Sequence, residues 1–67
     1  MITIYFNDEI TKIFADQSLM DFLLKQGHTD KFFSVMLNEQ FVPRIFYPSV
    51  LLQENDVIEL ITPMQGG

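Results

Sequence analysis

The chain has no cysteine and no tryptophan, a single histidine, three glycines and only four basic residues against nine acidic ones. Each shortage excludes something. Without cysteine there is no disulfide to staple a small fold. One histidine, His28, argues against a zinc site built from protein ligands alone. The glycines are Gly27, Gly66 and Gly67, so no glycine-rich phosphate loop exists. A net charge of −5 argues against nucleic acid, whose phosphates would be repelled. The opening run Met1–Phe6 has no basic flank and meets Asn7-Asp8-Glu9 at once. It is too short for a signal peptide or a membrane-spanning helix, and a reduced, cytoplasmic location is expected.

What is present is apolar bulk. The composition is 48% hydrophobic, with seven phenylalanines and two tyrosines in 67 residues. A chain of this length forms one domain near the lower limit for folding unaided. Its core supplies about 3–5 kcal/mol. Packing must therefore carry the stability.

Ile2, Ile4 and Phe6 alternate with Thr3 and Tyr5, the period of a strand with one buried side. Asn7-Asp8-Glu9 reads as a turn, and Ile10 to Phe14 returns as the second arm of a hairpin. Ser18 opens a helix: its hydroxyl suits the orphan amides of the first turn, and Asp21 puts negative charge at the positive end of the dipole. Leu19, Phe22 and Leu23 share one helix face, widened by Met20 and Leu24, and Gly27 supplies the left-handed stop. Phe32 to Leu37 reads as a strand with apolar residues on both faces, as a central strand shows. Asn38-Glu39-Gln40 turns it into Phe41-Val42, which Pro43 keeps short or at an edge. Arg44 to Leu52 holds no period and reads as irregular chain with one tight helical turn. Glu54-Asn55-Asp56 is a turn, and Val57 to Ile61 is the last strand. The order β-β-α-β-β-loop-β predicts an α+β domain, a four- to five-stranded sheet with one helix. One helix covers one sheet face and leaves the other to solvent or a partner.

No active site assembles from these residues. Nucleophilic catalysis needs a nucleophile, a base and an orienting group. His28 reads as a solvated loop residue. Asp8, Glu9, Glu54 and Asp56 read as solvated turn charge, and Glu39 and Glu59 as solvent-face residues, rather than as paired carboxylates for acid–base work. The chain does not read as an enzyme.

The end of the chain reads differently. Residues 1–61 make the domain, and 62–67 make a flexible tail, Thr62-Pro63-Met64-Gln65-Gly66-Gly67. Fully extended, such a tail reaches about 20 Å. Pro63 stiffens its base, and its tip, lacking side chains, suits a narrow active site in another protein. The ionised terminal carboxylate is a nucleophile able to attack the α-phosphate of ATP. ATP, metal and positioning would come from the partner.

Over nearly its whole length the chain resembles the sulfur-carrier proteins of thiamine (thiazole) biosynthesis, a ubiquitin-like β-grasp family. The resemblance rests on four features. These are the opening strand running into Phe6-Asn7-Asp8, the Leu37-Asn38 turn followed by Val42-Pro43-Arg44, the run Asn55-Asp56-Val57-Ile58-Glu59, and the terminal Gly66-Gly67. It implies a β-grasp fold with a mixed sheet and a carrier that binds no cofactor itself. It also implies an adenylating, ubiquitin-activating-like enzyme that uses ATP and magnesium to adenylate Gly67. Cysteine-derived sulfur then replaces the adenylate, and the resulting thiocarboxylate donates to thiazole synthase. Gly66, Gln65 and Met64 form the tail behind Gly67. Met64-Gln65 departs from the small or β-branched apolar residues many members carry there, which bears on the fit to the activating enzyme's channel.

A partner surface is expected beside the tail's root. If Ile58 and Leu60 face the core, Val57, Glu59 and Ile61 face away, and Tyr5, Phe41 or Phe46 extend an apolar patch. Arg44, one of four basic residues, is a candidate for a partner's carboxylate or for a local ion pair. Three alternatives remain open on sequence alone: the small subunit of molybdopterin synthase, with the same thiocarboxylate chemistry; a protein modifier that conjugates to lysines through Gly67; and a plain interaction domain.

Overall fold

Two hairpins begin and continue the fold, and both rest on asparagine. In the computed structural model, which describes residues 1–27 and 33–61, β1 (Ile2–Phe6) and β2 (Glu9–Ile13) are joined by Asn7 and Asp8 alone, with φ of 49° and 69°. β3 (Ser34–Leu37) and β4 (Gln40–Val42) are joined by Asn38 and Glu39, with φ of 52° and 68°. Two consecutive positive φ values define the turn whose twist matches that of the flanking strands, and asparagine tolerates that region better than most side chains. Glu9 and Gln40 thus begin strands rather than complete turns. Phe14 lies past the end of β2 and is exposed.

Helix α1 (Leu19–Lys25) follows a reciprocal cap. The Ser18 hydroxyl accepts from the Asp21 amide at 3.0 Å, and an Asp21 carboxylate oxygen accepts from the Ser18 amide at 3.3 Å. Gly27, at φ 82°, ends it, with its amide donating to the Leu24 carbonyl. The buried stripe is Leu19, Phe22 and Leu23, with Met20 half-buried. Leu24 does not widen it: a two-turn helix buries one narrow face, and Leu24 points to solvent.

The five strands form one mixed sheet in the order β2-β1-β5-β3-β4, with β5 (Val57–Ile61) in the middle. β5 runs parallel to β1, with Tyr5 opposite Val57 and Phe6 opposite Ile58, and antiparallel to β3, with Met36 opposite Glu59. The central position belongs to β5, and β3 is the interior strand beside it. Of the expected 32–37 strand, Ser34–Leu37 pairs; Phe33 precedes it, and Phe32 and His28 lie outside the described residues. β4 is a short edge strand ended by Pro43.

Ile4, Ile13, Val35, Val42 and Ile58 from one sheet face pack with Leu19, Phe22 and Leu23 of α1 and with Tyr47 and Leu52. Phe6 meets Phe22 edge-on, with ring centroids 5.1 Å apart. Burying each such side chain contributes about 1.5–3 kcal/mol. The irregular stretch contains a 3-10 helix, Arg44–Ser49, with Pro48 inside it. The chain after it is strapped to the helix start, with the Leu19 amide donating to Val50 and the Leu52 amide to Gln17. Among the described residues no helix is long and apolar enough to cross a membrane.

Tyr47 sits under Phe33, their rings parallel and 6.5 Å apart, and the Arg44 guanidinium lies 5.2 Å above the Phe33 ring. Burial raises the Tyr47 phenol above its ordinary value of 10, and Arg44 pulls it partly back. A raised folded value means that the stability from the neutral phenol is complete below pH 10 and is lost as the pH climbs through the folded value. The urea midpoint of the wild-type chain should therefore fall relative to that of Tyr47→Phe above pH 10, and the gap between them should be constant below it. Replacing Leu23 by Ala, in the centre of the core, should lower unfolding free energy by about 2–5 kcal/mol in the same measurement.

Candidate functional site

Strand alternation divides β5 between two environments. Ile58 and Leu60 face the helix, Ile58 fully buried, whereas Val57, Glu59 and Ile61 face the opposite side and are exposed. Among the described residues no element packs on that side. The neighbours of β5 continue the face: Tyr5 lies across from Val57 and Ile10 across from Tyr5, while Met36 lies across from Glu59 and Phe41 across from Met36. Directly opposed side chains on one face touch, so these pairs form apolar rows on either side of Glu59. Ile10 is 69%, Phe41 61%, Ile61 46% and Val57 38% exposed. So much apolar surface on one face of a small protein is the mark of a partner site.

Beside it opens a groove of about 440 Å³ lined by Asp8, Asn38, Glu39, Val57 and Glu59. Three of its five lining residues carry carboxylates, so the apolar rows border a negative edge. That combination suits a partner with an apolar patch flanked by cations. Among the described residues no group of three His, Asp or Glu side chains is placed to hold a metal ion.

The expected partner residues separate on this map. Tyr5, Phe41, Val57, Glu59 and Ile61 come together on the open face, with Tyr5 half-buried. Arg44 and Phe46 do not join them. They belong to the 3-10 helix, which packs against α1, and Arg44 is engaged with Phe33 above Tyr47. Met64, Gln65, Gly66 and Gly67 lie outside the described residues.

The turns contribute side chains that sequence reading assigned only to bending the chain. Asn38 Oδ1 accepts from the Val57 amide at 2.9 Å, and Asn38 Nδ2 donates to Asp56 Oδ1 at 3.0 Å. Asp56 Oδ2 accepts from the Gln53 amide at 2.8 Å. Asp56 is therefore not a solvated turn charge; it is 8% exposed and ties the 53–56 turn to the second hairpin. On the other flank, Asn7 Oδ1 accepts from the Leu60 amide at 2.9 Å. The available signal was an asparagine at the first position of each two-residue turn, but turn chemistry alone explains it equally well.

A mixed sheet with its last strand between the first and third, crossed by one helix, defines a β-grasp protein. The family model of ThiS matches residues 4–67, and the chain belongs to the ThiS family, ubiquitin-like β-grasp sulfur carriers. The crystal structure of the thiamine biosynthesis protein ThiS from Geobacter metallireducens is similar in fold, with a TM-score of 0.85 over 98% of this chain and 100% of that chain at 16% identity. No curated protein matches the chain.

The Asn38 contacts generate a stability test that leaves the turn intact. Asn38→Gly retains the positive φ but removes both side-chain hydrogen bonds, one of them to a buried carboxylate. Urea denaturation should show a loss of about 1–3 kcal/mol.

Proposed function

We propose that this chain carries sulfur for thiamine (thiazole) biosynthesis as a thiocarboxylate on Gly67. The observation that carries the reading is that the family match runs through the last residue of the chain. The tail 62–67, ending in Gly66-Gly67, follows directly on β5, the strand that also presents the open apolar face. The residues of the docking surface and the reactive end are thus close in sequence.

In this reading an adenylating partner holds Mg·ATP, and a Gly67 carboxylate oxygen attacks the α-phosphorus, releasing pyrophosphate. Sulfide-level sulfur derived from cysteine then attacks the acyl carbon, and AMP leaves with the mixed-anhydride oxygen. The terminal thiocarboxylate passes its sulfur to thiazole synthase. The carrier contributes no acid, base or metal; it contributes recognition through Tyr5, Phe41, Val57, Glu59 and Ile61 and a slim tip through Gly66. Met64 and Gln65 are the tail residues whose side chains must fit the enzyme's channel. The ATP and reduced sulfur required place this chemistry in the cytoplasm.

Incubated with its adenylating partner, ATP and a sulfur donor, the chain should gain the mass difference of sulfur replacing oxygen, located at Gly67 by fragmentation. A chain lacking Gly67 should not. Absence of the mass shift from the intact chain overturns the reading, and higher-mass lysine conjugates would indicate a protein modifier. Supplying the product to thiazole synthase or to the large subunit of molybdopterin synthase identifies the acceptor. Val57→Asp and Ile61→Asp should each raise the KM for activation by about tenfold or more, since each buries a charge against an apolar partner. Circular dichroism should remain unchanged.

A further inference from the structure

β5 outruns its neighbour. The last residue of β1 opposite β5 is Phe6, which faces Ile58, yet β5 continues to Ile61. Successive residues of a strand direct their backbone groups to alternate sides. The pairing with β3 engages Asn38 opposite Val57, Met36 opposite Glu59 and Ser34 opposite Ile61. The Leu60 amide points the other way, toward β1, and β1 has already turned off at Asn7.

The side chain of Asn7 fills that gap. Its backbone amide donates to the Ile58 carbonyl at 2.9 Å, as the next rung of a parallel ladder would. The next acceptor would be the Asn7 carbonyl, but with φ at 49° the chain is bending into the turn. The Asn7 Oδ1 atom accepts from the Leu60 amide instead, also at 2.9 Å. A side-chain amide thus stands in for a missing rung, one residue before the end of the last strand.

We infer that Asn7 is a positioning residue for the C-terminal carboxylate: by holding Leu60 it fixes the direction of β5 at Leu60 and Ile61, its last two residues. This rests on the reading of Gly67 as the reacting end. Two features of the site make the bond consequential. Val57, Glu59 and Ile61 must dock on the partner while the chain beyond Ile61 enters that partner's active site, so the root of the tail needs a fixed direction relative to the docking face. Held from the β3 side alone, residues 60 and 61 could twist about a single line of hydrogen bonds. Asn7 supplies the second line.

The test uses variants that separate the bond from the turn. Asn7→Gly keeps the positive φ and deletes the acceptor. Asn7→Asp keeps both a side-chain oxygen and tolerance of positive φ. An amide-to-ester replacement at Leu60, made by chemical synthesis, deletes the donor, weakens the Glu59 carbonyl as an acceptor and leaves Asn7 in place. Activation is followed as pyrophosphate release with the adenylating enzyme that converts the wild-type chain, and exchange of the Leu60 amide is followed by NMR.

Asn7→Gly should exchange the Leu60 amide about tenfold faster. Its kcat for activation should fall about threefold to tenfold, the factor a single net hydrogen bond is worth, with KM unchanged because the docking face is intact. The Leu60 ester should show the same fall in kcat, and Asn7→Asp should restore most of it. If Asn7→Gly fails to fold, the ester and Asn7→Asp decide between the outcomes. Wild-type kcat in the folded glycine or ester variant overturns the inference, as does a rise in KM alone. If the wild-type chain is itself not activated, the sulfur-carrier reading fails instead.

Discussion

The fold depends on the insertion of the last strand between the first and the third. Until β5 pairs with β1 and β3, the two hairpins have no sheet in common, and Ile58 has no core to enter. The contacts that secure it span almost the whole chain: Asn55 donates to Thr3 at 2.7 Å, Tyr5 to Asp56, and Leu60 to Asn7. Closing so long a loop has an entropic cost that only cooperative burial offsets. The parallel pairing itself covers two residue pairs, and the Asn7 side chain extends it, while the Asn38 side chain extends the antiparallel pairing with β3. Asn7 and Asn38, at equivalent positions of the two hairpins, grip opposite flanks and opposite ends of the same strand.

That arrangement explains why an apolar chain without cysteine can present an apolar face. The helix covers one side of the sheet, and the core gathers there, down to the Phe6–Phe22 contact and the Phe33–Tyr47 stack. Among the described residues nothing covers the other side, yet the flanks of β5 are closed by hydrogen bonds. Its exposed residues are thereby free to be chosen for recognition. The acidic groove, which Val57 also lines, places charge at the border of the face.

Much of this was legible in the residues themselves. The period-two run of β1, the capping pair Ser18 and Asp21, the stop at Gly27 and the limit imposed by Pro43 all act within a few residues, and local physics suffices to read them. Where reading failed, the deciding interaction was distant in sequence. Asp56 looked like a solvated turn charge because its partner Asn38 is 18 residues away. For Arg44 the residues left a partner's carboxylate and a local ion pair open, and nothing local reveals that Phe33 lies beneath it. Leu24 looked like part of the core stripe because the pattern does not tell how much of a short helix a five-stranded sheet can cover.

The sequence by itself determined the element order, the single helix, the two asparagine turns and the resemblance that draws attention to Gly66-Gly67. These follow from propensity, capping and the conformations particular residues tolerate. The tertiary structure alone decided that β5 is central, that Tyr5 and Phe41 but not Phe46 join the expected face of Val57, Glu59 and Ile61, and that Asn7 holds the last strand. Each of these depends on which strands become neighbours. Strand neighbours are set by long-range burial, to which no single segment of the chain bears witness.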